Sequence, residues 1–356
     1  MIARVAALLA ALLATPAIAQ PRPDLAPVLA EHKFEGFALA ADADTILWQT
    51  PRAPCPAPTG GEIILCHPSD PAFQRWPWAS VTKQVVAVLT MQQVDRGRLA
   101  LDAPAARYLP QLATGAPSPT IRQLLQHRAG LRNPEDTPKD AEGWPAWFTA
   151  SDDALGWCLA GRTATGGDWR YNNCDTLVLG AVLENVADTS LPELFDREIA
   201  RPLQLEATAF ESSAAPPRYD GTAVTLTKKE RAIFKRFGAA GGLIGTPLDL
   251  LAIDRALMAG TLLSPASRDA MWAGDPKLGY MALAQWSFDA PLKGCAAPVR
   301  LIERRGGIGR FQVRNILILS QNKVLMLFTA DGDFDFGEIW QGKGLSHDLL
   351  ARVACP

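Results

Sequence analysis

The chain has 356 residues, 48% of them hydrophobic, and a formal net charge of −2. A charge this close to zero supplies no long-range field for nucleic acid or an anionic membrane surface. The length is enough to bury roughly three quarters of the unfolded surface, in one full core or two lobes.

The first twenty residues, MIARVAALLAALLATPAIAQ, combine one early arginine, an apolar stretch from Val5 to Leu13, and the small-x-small site Ala17-Ile18-Ala19. They read as a signal peptide over 1–19 cleaved after Ala19, so export to the periplasm, or secretion beyond it, is expected. No cysteine sits near that cut to carry a lipid, and no later stretch is a candidate transmembrane anchor. PRPDLAPVLAEHK predicts a leader with a short helix, and FEGFALAADADTILWQT a hairpin broken at Asp42–Asp44. PRAPCPAPTGGEIILCHPSD reads as a surface excursion stapled by its cysteines.

From Ser80 the texture is helical to Met91, and TIRQLLQHRAGL predicts a compact helix ending at Gly130. NNCDTLVLGAVLENVAD, SLPELFDREIARPL and PLDLLAIDRALMAG carry helical periodicity. Strand character returns in VRLIERR, FQVRNILILSQNK and VLMLFTADGD, with Gln321-Asn322 as a turn, before a terminal helix in GEIWQGKGLSHDLLARVA. Strands at both ends with helices between imply one sheet assembled from distant segments, with a helical lobe inserted. The expected domain runs over 30–335, its sheet lobe from about 33–90 and 298–355 and its helical lobe from about 91–297.

Six cysteines in an exported chain suggest disulfides, with fifteen complete pairings open. Neighbour pairing is the expectation: Cys55–Cys66, Cys158–Cys174 and Cys295–Cys355. No CxxC pair exists and the four histidines are dispersed, so no metal is expected.

Three stretches can carry chemistry. In WASVTK, Ser80 and Lys83 share one helix face, and a desolvated lysine can take a serine proton. The bland alternative is a capping serine and a snorkelling lysine. In WRYNNCDTLVLGAVLENV, Tyr171 can relay a proton and Asn173 can orient substrate or lysine; alternatively the asparagines cap a helix and Tyr171 fills the core. In ERRGGIGRF, residues 303–311, the glycines let a substrate lie against a strand, a backbone N–H can complete an oxyanion hole, and arginines can hold a carboxylate.

Together these motifs resemble the serine β-lactamase and penicillin-binding-protein superfamily, nearest its class C-like branch of β-lactamases, D-specific peptidases and esterases. Flanking text agrees: LLQHRAGL at 124–131, FDREIARPLQLEATAF at 195–210 and AAGGLIGTPLDLLAI at 239–253. The resemblance implies an α/β (α+β) fold with an antiparallel sheet built from N- and C-terminal segments, flanked by helices and carrying a mostly helical lobe. It implies Ser80 as nucleophile, Lys83 and Tyr171 as proton carriers, Asn173 as a positioning residue, and no cofactor. Counting back from Phe311 aligns the third motif with Arg304-Arg305-Gly306, with Gly307 joining the Ser80 N–H as oxyanion donor. A rival register, Arg305-Gly306-Gly307, uses Ile308. Either register puts arginine where lysine or histidine is usual, so Arg304 or Arg305 can bind a substrate carboxylate or block the pocket. The resemblance implies a hydrolase of a lactam, ester or D-amino-acid amide. The alternative is a degenerate homologue that binds peptidoglycan-type peptides or a protein partner without turnover.

Overall fold

The structure, a computed structural model, describes residues 22–51, 71–162, 167–214 and 224–355. The leader over 1–19, most of the proline-rich excursion and the Cys55–Cys66 pair lie outside the described residues.

The first hairpin forms as its sequence predicts, from β1 (Phe37–Ala41) and β2 (Ile46–Gln49). Asp42 Oδ1 accepts the N–H groups of Asp44 and Thr45 at 2.9 and 2.7 Å, which turns the chain between them. All five residues of β1 are buried because the strand is sandwiched between two cores. Phe37, Leu39 and Ala41 face one core, and Ala38 and Ala40 the other.

β1 pairs with β9 (Lys323–Thr329), followed by β8 (Phe311–Ile318), β7 (Val299–Ile308) and β6 (Trp286–Ala290), giving an antiparallel six-stranded sheet in the order β2-β1-β9-β8-β7-β6. Distant ends of the chain therefore build one sheet. β6 falls within the stretch 91–297 read as helical, and it forms the sheet edge. A small sheet joins β3 (Trp76–Pro77), β5 (Leu243–Gly245) and β4 (Ala209–Phe210).

The helices Ala26–Glu31 and Leu345–Ala354 cover one face of the large sheet. The other meets the helix Thr82–Asp95, which is buried from Thr82 to Gln93, together with the helices Asn173–Ala187 and Pro247–Ala259. A polar knot ties that central helix to the sheet. Gln84 Nε2 donates to Asp254 Oδ1 at 2.7 Å, and Asn315 Nδ2 donates to Gln84 Oε1 and Asp254 Oδ1 at 3.2 and 3.1 Å. Burial pushes the Asp254 carboxyl up to about 7 despite these donors.

Two helices are shorter than their periodicity predicts. TIRQLLQHRAGL is helical only over Ile121–Leu125, since His127 turns left-handed at φ 57°. The terminal helix starts at Leu345, after Gly344 at φ 92°.

Cys158–Cys174 and Cys295–Cys355 are bonded, as neighbour pairing predicts. The second spans 60 residues and pins the terminal helix. Closing a loop of that length is worth about 4 kcal/mol in the chain-entropy view. Replacing Cys295 and Cys355 together by serine should lower the thermal midpoint by several degrees, measured by calorimetry, while the fold is retained.

Candidate active site

Ser80 lies in a short 3-10 turn, Ala79–Val81, just ahead of the central helix. Ala79 sits at φ 45°, a left-handed conformation that costs a residue with a Cβ about 1–3 kcal/mol. Strand β5 holds the turn from both sides. Trp78 N–H donates to Leu243 O at 2.9 Å and its indole to Gly245 O at 3.1 Å, while Thr82 Oγ1 accepts the Leu243 N–H at 3.1 Å. The Ser80 hydroxyl does not cap the helix. It lies 2.6 Å from the Tyr171 hydroxyl and accepts from Lys83 Nζ at 3.1 Å.

Lys83 is fully buried and does not reach solvent. Its ammonium also donates to Asn173 Oδ1 at 2.8 Å and to the Ala240 carbonyl at 2.6 Å. All three N–H groups therefore have acceptors. Burial lowers its pKa to about 8, with Arg304 adding to the shift and Tyr171 opposing it. For Tyr171, burial pushes the phenol up, but Lys83, Arg304 and the hydrogen bonds from Lys83 and Ser80 outweigh it and bring it down to about 8. Two groups whose ordinary values lie near 10 thus titrate together, and their steps belong to the pair.

Asn172 caps the next helix through the Cys174 N–H at 2.9 Å and binds the Leu131 and Arg132 carbonyls. That cap leaves Asn173, in the first turn, aimed at Lys83.

The two arginines part company, as strand alternation requires. Arg304 is 1% exposed and directs its guanidinium inward. Nε donates to Ser80 O at 2.8 Å, Nη1 to Ala284 O at 3.0 Å and Nη2 to the Tyr171 hydroxyl at 3.1 Å. Arg305 is gripped by Glu303 and Glu338 at 2.7–3.0 Å. Gly306 backs onto the Ser80 turn, where an added Cβ would clash with Trp78 O. Gly307 faces open space. β6 ends its pairing opposite Glu303, so β7 runs on beside Ser80 without that neighbour.

Two connected hollows flank Ser80 and Tyr171. One of about 620 Å³ is walled by Glu135, Trp144, Phe148, Asn173 and Gly307. The other, about 300 Å³, is walled by Arg304, Arg305, Trp286 and Arg314. A larger hollow of about 930 Å³, lined by Glu184, Glu193, Phe195 and Phe210, lies away from these residues and contains no such constellation.

The β-lactamase family model matches residues 68–282, more than half of the chain. The chain belongs to the β-lactamase family.

Among relatives, esterase EstB of Burkholderia gladioli is 34% identical over 162 residues, 40% of this chain and 41% of that protein. The teichoic acid D-alanine hydrolase of Staphylococcus aureus is 26% identical over 196 residues, 52% and 46% of the two. The chain thus matches less than half the length of these relatives. A D-amino acid amidase from Ochrobactrum anthropi SV3, solved with D-phenylalanine, shares the fold at TM-score 0.68 and 17% identity, over 93% of this chain and 96% of that one.

Within this β-lactamase-family site, Ser80, Lys83, Tyr171, Asn173, Arg304 and Gly306 come together, with Gly307 at the rim; Arg305 turns to its carboxylates. Sequence reading missed Glu135, the Ala240 carbonyl and His127. Glu135 is carried on a short turn whose N–H is capped by Asn133, and Asn133 also donates to Tyr171 O at 2.9 Å. The sequence signal for Glu135 is the carboxylate pair Glu135-Asp136 shortly after LLQHRAGL, which does not say which of the two faces the site; a backbone carbonyl leaves no signal.

Gly306→Ala should force β7 away from the Ser80 turn, at about 1–3 kcal/mol of stability and with a larger fall in kcat than in KM. Thermal melts and steady-state kinetics on a p-nitrophenyl ester read both effects.

Proposed function

We propose that the chain is an exported serine hydrolase that forms an acyl-enzyme on Ser80 from an amide, lactam or ester carbonyl. The observation that carries this reading is a single one: the Ser80 hydroxyl sits within hydrogen-bond reach of both Tyr171 and Lys83. A catalytically silent homologue has no need to bury a lysine and a strained turn to hold that arrangement.

The acceptors around Lys83 favour an ammonium, since all three of its N–H groups are used. That assigns proton abstraction to Tyr171 as phenolate, rather than to the lysine. Lys83 and Arg304 supply the positive charge that keeps the phenolate stable. Ser80 attacks, its proton passes to Tyr171, and the Ser80 and Gly307 N–H groups receive the oxyanion. Tyr171 then delivers the proton to the leaving group, and water releases the acyl group by the reverse route. Arginine at the third motif is therefore compatible with turnover. Its charge acts on Tyr171, and its inward donors argue against Arg304 as the holder of a substrate carboxylate.

The leaving group belongs on the Arg304 side of Tyr171, and the acyl group in the hollow walled by Glu135 and the aromatic rings. Among the described residues Glu135 has no ion pair, and its one side-chain hydrogen bond is a long 3.4 Å from Asn173. Partial burial raises its pKa, with Lys83 and Lys139 opposing. A carboxylate so placed suits an acyl group with a free ammonium beside its carbonyl, as in the D-alanyl and D-amino-acid substrates named for the relatives.

Three outcomes follow. Ser80→Ala should abolish both turnover and the mass adduct formed with a fluorophosphonate; full turnover in this variant would sink the assignment. As pH falls through about 8 the phenolate takes up a proton, so kcat/KM for a neutral ester should decline towards tenfold per unit. Glu135→Gln should cut kcat/KM for a D-alanyl ester about tenfold or more while leaving its N-acetylated counterpart within about twofold.

A further inference from the structure

LLQHRAGL is a stretch the proposed chemistry leaves unused, and its histidine touches the site from behind. His127 is 2% exposed and sits in the left-handed region at φ 57°. Its carbonyl accepts the Arg170 N–H at 3.2 Å, and its Nδ1 accepts the Asn172 N–H at 3.4 Å. Between those two anchor points its ring packs on the Tyr171 ring, with centroids 4.7 Å apart and planes tilted by 53°. One residue thus grips the chain on both sides of Tyr171 and also supports its ring.

We infer that His127 is the positioning residue of Tyr171, a clamp that holds the phenol oxygen between Ser80, Lys83 and Arg304. The inference rests on the role proposed above for Tyr171. The clamp works only while Nδ1 is an acceptor, which requires the neutral imidazole with its proton on Nε2. The surroundings favour the neutral ring, and the Asn172 N–H at Nδ1, rather than any partner of Nε2, selects the tautomer. Burial lowers the His127 pKa well below its ordinary value, and the charges of Arg304 and Lys83 add to the effect. Asp175, whose Oδ2 is 3.7 Å from Nδ1, faces the ring from the Asn173–Ala187 helix. Burial drives its own carboxyl well above the usual carboxylate range, with the Ala129 N–H and Lys83 opposing.

The left-handed backbone limits which substitutions can test the clamp. Asparagine tolerates that conformation among residues with a side chain, and glycine adopts it freely. His127→Asn keeps the backbone and removes the ring.

A clamp and a general structural role differ in one measurable way. If His127 acts through Tyr171, its removal costs nothing further once the phenol oxygen is gone. We expect His127→Asn to lower kcat on a p-nitrophenyl ester about 10- to 100-fold, with KM within about twofold, because a displacement near 1 Å has that order of effect. In the Tyr171→Phe background the same change should alter kcat less than about twofold. The acid limb of kcat/KM should also move in His127→Asn, because the phenol no longer rests between its two cations. Wild-type kcat in His127→Asn, or an equal fold-loss in both backgrounds, would overturn the clamp. Should His127→Asn fail to melt cooperatively, His127→Gly carries the same cycle. Wild-type activity in Tyr171→Phe alone would instead count against the proposed chemistry, so the two failures are told apart.

Discussion

The site depends on one constraint, a lysine ammonium with no access to water. Removing such a charge from solvent is costly unless every N–H finds an acceptor. Lys83 meets that demand with Ser80, Asn173 and the Ala240 carbonyl, drawn from three distant parts of the chain. The helix Thr82–Asp95, the start of the helix Asn173–Ala187 and the turn before β5 must therefore meet at one point. Their meeting place is where Ser80 stands. The same burial that makes the lysine demanding also lowers its pKa into the range where it can share a proton with Tyr171.

Charge in this cluster is positive before anything binds. Lys83 and Arg304 both act on Tyr171, and burial pushes up the pKa of the carboxyl nearest the His127 ring. A phenolate is the internal group that balances them. In the chemistry proposed, arginine in place of the third-motif lysine or histidine keeps an electrostatic role and gives up a proton role. A guanidinium cannot donate and recover a proton at ordinary pH. It can fix a phenol oxygen in space while bracing the Ser80 and Ala284 carbonyls, as the three hydrogen bonds of Arg304 do.

Much of this was legible in the sequence because it lies in spacing. Ser80 and Lys83 are one helical turn apart, and period-two alternation on β7 separates Arg304 from Arg305 by face. The hairpin, the late strands and two cysteine pairs follow from local pattern. What the sequence could not show are the partners brought in by folding. Glu303 and Glu338 neutralise Arg305, a pairing across 33 residues for the second of them. β6 joins the sheet from within a stretch rich in helical and irregular signals, its register set by β7 rather than by its own alternation. His127 carries no such signal, since nothing in LLQHRAGL announces a left-handed residue that contacts another segment. The short helix Ile121–Leu125 ends early because that grip requires it.

The central claim is that Tyr171 ionises at about 8, between two buried cations. It is tested most directly by titrating tyrosinate absorbance in the wild type and in Tyr171→Phe. The account predicts a difference curve for one tyrosine with its midpoint at about 8. A difference curve that rises only near the ordinary phenol value of about 10 would contradict it.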